Sequence, residues 1–204
     1  MFEDGELDIM FYDSSDWAGK QLRFSWITGG KFYKTFKGIE HYKGFDSWTE
    51  ALEWLSMLEP DKKINSVQFW GHGTPGRVWI NGDFLSARSI LPKSVHHEPL
   101  LKLKQRMDRD SILWFRSCNV FAGQEGHLFG MTISKMLECK VAAHTYIVGP
   151  WQSGLHTIGP DEKPSWSIEE GLKKKKDGSL EPRWSMPWSP NTLFCLTGKI
   201  PRGW

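Results

Sequence analysis

The clearest indications of the fold come from residues 67–73 (VQFWGHG) and residues 112–118 (ILWFRSC). Each stretch begins with an apolar run typical of a buried strand and ends at a reactive side chain, His72 in the first and Cys118 in the second. In an α/β fold, the carboxyl ends of neighbouring parallel strands open on the same crevice. We therefore expect His72 and Cys118 to lie close together.

The pattern around these two stretches alternates between strands and helices. Buried strands are predicted at residues 7–12, 64–70, 111–115 and 141–148, and helices at residues 47–58, 98–107 and 126–139. Two hairpins are also predicted, one turning at Gly29-Gly30 within residues 21–36 and one at Asn81-Gly82. This order indicates an α/β fold, a mainly parallel sheet with helices on both faces and small β-hairpin additions.

The composition excludes several classes of protein. The 204 residues are 39% hydrophobic and 25% charged, which is ordinary for a globular protein, and the net charge of +2 gives no reason to expect nucleic-acid binding. No apolar run approaches the roughly 18 residues of a membrane span. Three scattered cysteines do not form a disulfide framework, and the acidic amino-terminal residues do not resemble a signal peptide. We therefore expect a cytoplasmic protein with no membrane association.

The sequence changes character near residue 150. We predict one domain over residues 1–204, with a core at about 1–150 and a Trp- and Pro-rich extension at 151–204. The extension contains the basic run Lys173–Lys176 followed by Asp177-Gly178, which predicts a solvated hairpin arm. The alternative interpretation of the basic run is a surface for an acidic partner.

A thiol beside an imidazole is the minimum requirement for a cysteine nucleophile with an acid–base partner. His72 could take the proton of Cys118 or protonate a leaving amine. The glycine beside it, Gly73, allows a sharp turn, and its main-chain N–H could join that of Cys118 in binding a developing oxyanion. The alternative is structural: an isolated histidine or cysteine at a strand end is usually part of the packing.

Both stretches resemble the signatures of the caspase, legumain and gingipain group of cysteine peptidases (clan CD). In that group one apolar strand ends in His-Gly and another ends in a small residue followed by Cys, and Ser117 occupies the small position here. Cys118 follows His72 by 46 residues, close to the roughly 50 expected for caspases. The resemblance covers about residues 64–150 and extends to caspase-like domains of bacterial proteins.

The resemblance implies a caspase–hemoglobinase fold and hydrolysis of peptide bonds in a polypeptide substrate through a thioester. His72 and Cys118 would form the catalytic dyad, and Gly73 would contribute an oxyanion N–H. Arg116, two residues before the cysteine, would line the specificity pocket with Ser117, and an arginine there suits an acidic side chain. His144 would lie beside the dyad as a core or pocket residue.

Three alternatives remain open at this stage. The first is a catalytically silent binding or scaffold module on the same fold, which would use its tryptophans to hold a partner. The second is an acyltransferase or self-cleaving domain with the same dyad. The third is a metal site of His72, Cys118 and His144, which lacks the close paired spacing usual for zinc. We predict no metal and no cofactor.

Overall fold

The computed structural model describes residues 5–15, 20–36 and 38–201 of the chain. Four α-helices are present among these residues: α1 Lys20–Phe36, α2 Trp48–Met57, α3 His97–Lys104 and α4 Gly123–Leu137. The strands in chain order are β1 Glu6–Asp13, β2 His41–Phe45, β3 Lys63–Trp70, β4 His72–Thr74, β5 Arg77–Ile80, β6 Asp83–Ser86, β7 Ile112–Phe115, β8 Lys140–His144, β9 Trp151–Gln152, β10 Leu155–Ile158, β11 Leu172–Lys174, β12 Leu180–Pro182 and β13 Leu193–Phe194.

The main sheet has six strands in the order β10-β8-β7-β3-β1-β2. Every pair within β8, β7, β3, β1 and β2 is parallel, and β10 adds to the β8 edge in the antiparallel direction. The predicted α/β class with a mainly parallel sheet is therefore confirmed. The four predicted strands of residues 7–12, 64–70, 111–115 and 141–148 correspond to β1, β3, β7 and β8.

One face of the sheet packs against α2, α3 and α4. Alternate strand residues point to this side, as strand geometry requires, and form a continuous apolar core with the helices. The fully buried aromatic rings at its centre are Phe11, Trp48, Phe69, Phe115 and Phe129. Rings such as those of Trp48 and Phe69, whose centroids are 4.6 Å apart, are tilted against each other, as aromatic pairs in protein cores prefer.

The opposite face carries α1 and a second apolar cluster of Met10, Tyr12, Tyr33, Ile39 and Trp70. Helices therefore cover both faces, as the sequence predicted.

The predicted hairpin at residues 21–36 is wrong, because these residues form α1. Gly29 and Gly30 lie inside the helix, where a side chain on Gly30 would collide with the ring of Tyr42, a Cβ lying 2.6 Å from its Cδ2. The glycine pair thus serves the close approach of α1 to β2 and does not form a turn. Tertiary packing has overridden the local turn preference of these residues.

Residues after 150 pack back onto the sheet through short strands. β10 joins the main sheet, β13 pairs with β9, and β11 pairs with β12 in a hairpin that contains the basic run. Within this hairpin Lys173 and Lys175 both contact Glu181, so part of the charge is compensated locally. Among the described residues, no helix combines the length and the apolar character that crossing a bilayer would need.

Candidate active site

The segments that carry His72 and Cys118 leave the sheet side by side. β3 and β7 are parallel neighbours with Phe69 opposite Phe115, and the main-chain N–H of Arg116 donates to the Phe69 carbonyl at 2.8 Å. His72 follows β3 by two residues and Cys118 follows β7 by three. Both therefore lie beyond the carboxyl edge of the sheet, where α/β proteins bind their ligands.

Gly73 is the point at which the two segments touch. A Cβ placed on this glycine would lie 2.8 Å from the carbonyl oxygen of Cys118 and 2.9 Å from the Cβ of Ser117. Only a residue without a side chain permits this approach. The residue next to His72 is thus in van der Waals contact with Cys118.

The imidazole of His72 is held by a small antiparallel sheet of β4, β5 and β6. His72 lies opposite Trp79, and the two rings stack with centroids 5.6 Å apart and planes 14° apart. The hairpin between β5 and β6 turns at Asn81-Gly82, both with positive φ, as predicted from the sequence. The ring of His72 is half-buried.

Asn119 fixes the turn that carries Cys118. It adopts a left-handed conformation with φ of 56°, and its side-chain amide donates to the Thr145 carbonyl at 2.7 Å. Its main-chain N–H donates to the carbonyl of Tyr146 at 3.0 Å. Sequence reasoning overlooked Asn119, although asparagine after a strand is a known signal for such a turn.

The thiol of Cys118 is half-buried and donates to the carbonyl of Val148 at 3.9 Å. Burial raises its pKa, so the thiol is protonated near neutral pH in this conformation. The main-chain N–H of Cys118 donates to no protein acceptor in the described parts of the chain, which leaves this donor available to an incoming oxygen atom.

Ser117 and Arg116 are both buried beside the cysteine. The Ser117 hydroxyl has no hydrogen-bond partner among residues 5–15, 20–36 and 38–201. The Arg116 guanidinium lies between the rings of Trp70 and Trp114, 4.4 and 4.1 Å from their centroids. Burial lowers the pKa of Arg116 to about 10, which still leaves it charged at neutral pH.

Residues 193–200, which we call the strap, cross the α1 face of the sheet and cover Arg116. The strap begins at β13, and its carbonyls at Cys195 and Thr197 accept hydrogen bonds from Arg116 at 2.8 Å each. The carbonyl of Gly198 accepts from the Gln68 side chain at 2.8 Å. Arg116 is only 2% exposed as a result, so the predicted specificity pocket is closed in this conformation.

His144 is a core residue, which is one of the two positions expected for it, and its buried side chain is not exposed to a substrate in this conformation. Its side chain is fully buried, its Nε2 accepts from the Trp114 indole at 3.2 Å, and its Nδ1 donates to the carbonyl of Ser153 at 3.1 Å. Burial, reinforced by the charge of Arg116, lowers the pKa of His144 to about 3, so the ring is neutral.

The alternative of a metal site made by His72, Cys118 and His144 fails on the same geometry, because both ring nitrogens of His144 are already bonded. Within the described ranges, no three histidine, cysteine or acidic side chains are placed to hold a metal ion.

Residues 42–157 match a protein family described only as a domain of unknown function, DUF4347. The match covers more than half of the chain. The chain belongs to the DUF4347 family. The matched region begins in β2, ends in β10 and includes His72, Gly73 and Cys118. No curated protein and no solved structure matches the chain.

Proposed function

We propose that this member of DUF4347 is a cysteine peptidase of caspase-like fold, in which Cys118 is the nucleophile and His72 the acid–base residue. The observation that carries the proposal is the contact at Gly73, which joins the segment of His72 to Cys118 at the carboxyl edge of two adjacent parallel strands. Nucleophile and base from separate loops, held together by a rigid sheet, are the arrangement that covalent catalysis requires.

The proposed reaction follows from these positions. His72 accepts the thiol proton of Cys118 while the sulfur attacks the carbonyl carbon of a peptide bond, forming a tetrahedral oxyanion. The N–H groups of Gly73 and Cys118 stabilise that oxyanion. As the C–N bond breaks, His72 gives its proton to the leaving amine and a thioester remains on Cys118. A water molecule, deprotonated by His72, then hydrolyses the thioester and restores the thiol.

Arg116 is the proposed specificity residue, since its guanidinium can form two parallel hydrogen bonds with a carboxylate. It would select an acidic side chain before the scissile bond, with Ser117 lining the same pocket. The resemblance to bacterial caspase-like domains leads us to propose a cytoplasmic enzyme acting on polypeptides. The hairpin that contains Lys173–Lys176 is a proposed contact for an acidic partner.

A second function, a catalytically silent binding module, is favoured by two observations. The pKa of the Cys118 thiol is raised, whereas an activated nucleophile has a depressed one. Trp184 and Trp188 are also largely exposed, at 67% and 78% of their surface. Trp184 pairs with Ile147 in an isolated β-bridge, and Ile147 directly precedes Val148, whose carbonyl accepts from the Cys118 thiol. An exposed aromatic surface near an inert thiol would suit partner binding.

Covalent labelling distinguishes the two functions. Peptidyl acyloxymethyl ketones that differ only in the residue before the warhead, Asp, Arg, Asn or Leu, are incubated with the native protein and read by intact mass. We expect the aspartyl probe to label wild type and the control Cys195→Ser but not Cys118→Ala. His72→Ala should label at least 100-fold more slowly, in line with the roughly 10²–10⁴-fold contribution of acid–base catalysis.

The same panel is applied to Lys199→Glu, a surface variant that replaces the ion pair with Asp8 by two like charges and that we expect to loosen the strap. If neither wild type nor this variant is labelled while iodoacetamide modifies the denatured thiols, the peptidase proposal is wrong and the binding module is favoured. If a neutral or basic probe is preferred, Arg116 is not the specificity residue.

A further inference from the structure

Arg116 is a buried cation whose hydrogen-bond partners are all neutral. Its guanidinium makes six hydrogen bonds, which go to the Gln152 amide oxygen (two bonds), the Tyr33 hydroxyl, the Gln68 amide oxygen and the carbonyls of Cys195 and Thr197. In the part of the chain that the structure describes, no carboxylate contacts it. Burying a charge without a counter-ion is costly, so this pocket has the character of an anion site.

Arg106 provides the comparison within the same molecule. It is also buried, and it also donates to main-chain carbonyls, but those carbonyls belong to the end of α2 and the turn after it. The carboxyl end of a helix carries partial negative charge, and Asp61 and Glu59 act on Arg106 as well. Arg106 therefore has negative charges nearby, whereas Arg116 is stabilised only by neutral groups, which are the ring faces of Trp70 and Trp114 and the oxygen atoms that it bonds.

The strap carbonyls bind the two terminal nitrogens of Arg116, which are the donors that a carboxylate would use. Nη1 of Arg116 donates to the Thr197 carbonyl and Nη2 to the Cys195 carbonyl, each at 2.8 Å. A carboxylate binds arginine through the same kind of paired, parallel hydrogen bonds, with a full negative charge in place of two dipoles. A carboxylate would thus satisfy the same donors and also neutralise the buried charge.

The distal half of the strap is weakly held. Lys199 is 75% exposed, and its ammonium group lies 3.6 Å from a carboxylate oxygen of Asp8. A cleft of about 140 Å³ lies between Gly198–Ile200 and the sheet, with Ser66 and Trp114 in its wall. Besides this ion pair, the Gln68 hydrogen bond to Gly198 and the partly buried side chain of Ile200 hold this half of the strap. A segment with few contacts and an unfilled space beneath it opens at a lower free energy than the sheet core.

We propose that the strap is a built-in competitor of a carboxylate ligand at Arg116. In the closed form, which the structure shows, the strap fills the pocket and the protein is latent. An acidic side chain of an incoming polypeptide displaces the strap and pairs with Arg116. The identity of this ligand as a substrate side chain rests on the proposed function, because Arg116 precedes Cys118 by two residues.

The test uses the full chain with Cys118→Ala, so that its outcome does not depend on catalysis. Cys195 lies in the strap and is half-buried, and Cys139 is buried in the core, so their alkylation rates report strap opening and global unfolding respectively. The probes are N-acetylaspartate amide, which has one side-chain carboxylate, and its neutral isostere N-acetylasparagine amide. We expect the aspartate probe at saturation to raise the Cys195 rate at least fivefold, with Cys139 unchanged and the asparagine probe without effect.

Two surface variants complete the design. Lys199→Glu places a carboxylate against Asp8 and should raise the Cys195 rate without any probe, whereas Lys174→Glu on the exposed hairpin should not. Arg116→Lys should abolish the response to aspartate if the variant folds. The inference is overturned if aspartate and asparagine act equally, or if neither aspartate nor Lys199→Glu changes the Cys195 rate. Labelling of Cys118 can succeed or fail independently of this result.

Discussion

At Gly73, a single hydrogen atom in place of a side chain determines how closely the loops of His72 and Cys118 approach. Its contacts are with Val120, Cys118 and Ser117 from the neighbouring loop. Its φ is not in the left-handed region, so the requirement for glycine here is one of space and not of backbone conformation.

We predict that Gly73→Ala destabilises the protein by about 1–3 kcal/mol, the usual cost of an added methyl group in a packed region. The labelling rate of Cys118 should also fall, because the two loops are pushed apart. Thermal unfolding and intact-mass labelling measure the two effects. Gly149→Ala is the matched control, since nothing lies within 4 Å of the site of its added methyl group. Equal behaviour of the two variants would refute the role of Gly73.

The positions of His72 and Cys118 could be predicted at the residue scale because each is marked locally, by an apolar run that ends in a polar residue. The surroundings of Arg116 could not be predicted. Its strap partners lie 79 and 81 residues further along the chain, and they bond through main-chain carbonyls that any residue would supply. The neutral state of His144 could not be predicted from the sequence for the same reason, because its partners Trp114 and Ser153 come from other strands and loops.

Among the helices, α2 is capped at both ends, and a side chain from a distant segment contributes at each end. At its start, Ser47 accepts from the N–H of Glu50 at 3.2 Å, and Asp83 accepts from that of Trp48 at 2.8 Å. At its end, the Arg106 guanidinium binds five carbonyls, those of Leu55, Ser56, Leu58, Glu59 and Lys62. These bonds satisfy acceptors that the end of a helix otherwise leaves unpaired.

We predict that Arg106→Lys lowers the free energy of unfolding by about 2–4 kcal/mol, because an ammonium group cannot reach all five carbonyls and each buried acceptor left unpaired costs roughly 1–3 kcal/mol. Urea denaturation measures the change. Arg109→Lys, three residues along the chain at an exposed ion pair with Asp161, should leave the unfolding midpoint unchanged. A midpoint for Arg106→Lys that equals wild type would contradict the role of this residue.

The helices and strands whose apolar residues recur with a clear period were predicted well, whereas α1 was predicted wrongly. Leu22, Trp26 and Tyr33 follow helical spacing, but Gly29-Gly30 is a stronger local signal for a turn than for a helix interior. The reason for the glycines, contact between Gly30 and Tyr42, exists only in three dimensions. Short β2 was missed because residues 41–45 (HYKGF) contain too few apolar positions to show a strand period.

For the molecule as a whole, the α1 face of the sheet is unusual in burying a polar layer. Gln68, Arg116, His144 and Gln152 lie between the sheet and the segments that cover it, each less than 5% exposed. Such a layer is stable only while its members keep their hydrogen bonds and their charge states. His144, neutral with a pKa of about 3, is the member that responds to acid.

We predict that the protein loses stability as the pH falls from about 6.5 towards 3. In this window the unfolded chain binds a proton at His144 and the folded chain does not, so acid favours unfolding by about 1.4 kcal/mol per pH unit for this one group. In His144→Gln, the amide can keep both hydrogen bonds but binds no proton. The free energy of unfolding should therefore fall less steeply with falling pH, by the contribution of one proton. Urea unfolding at pH 6, 5 and 4 measures the free energy of unfolding of both proteins. If it falls equally with pH in wild type and His144→Gln, the prediction is wrong.

The distance in sequence between Arg116 and its strap has a consequence for biosynthesis. A ribosome adds about 5–20 residues per second, so the 79–81 residues between them take roughly 4–16 s to make. During that time the sheet strands β1, β3 and β7 already exist, and the guanidinium has neither of its strap acceptors. The strap therefore binds Arg116 only after nearly the whole chain has been made.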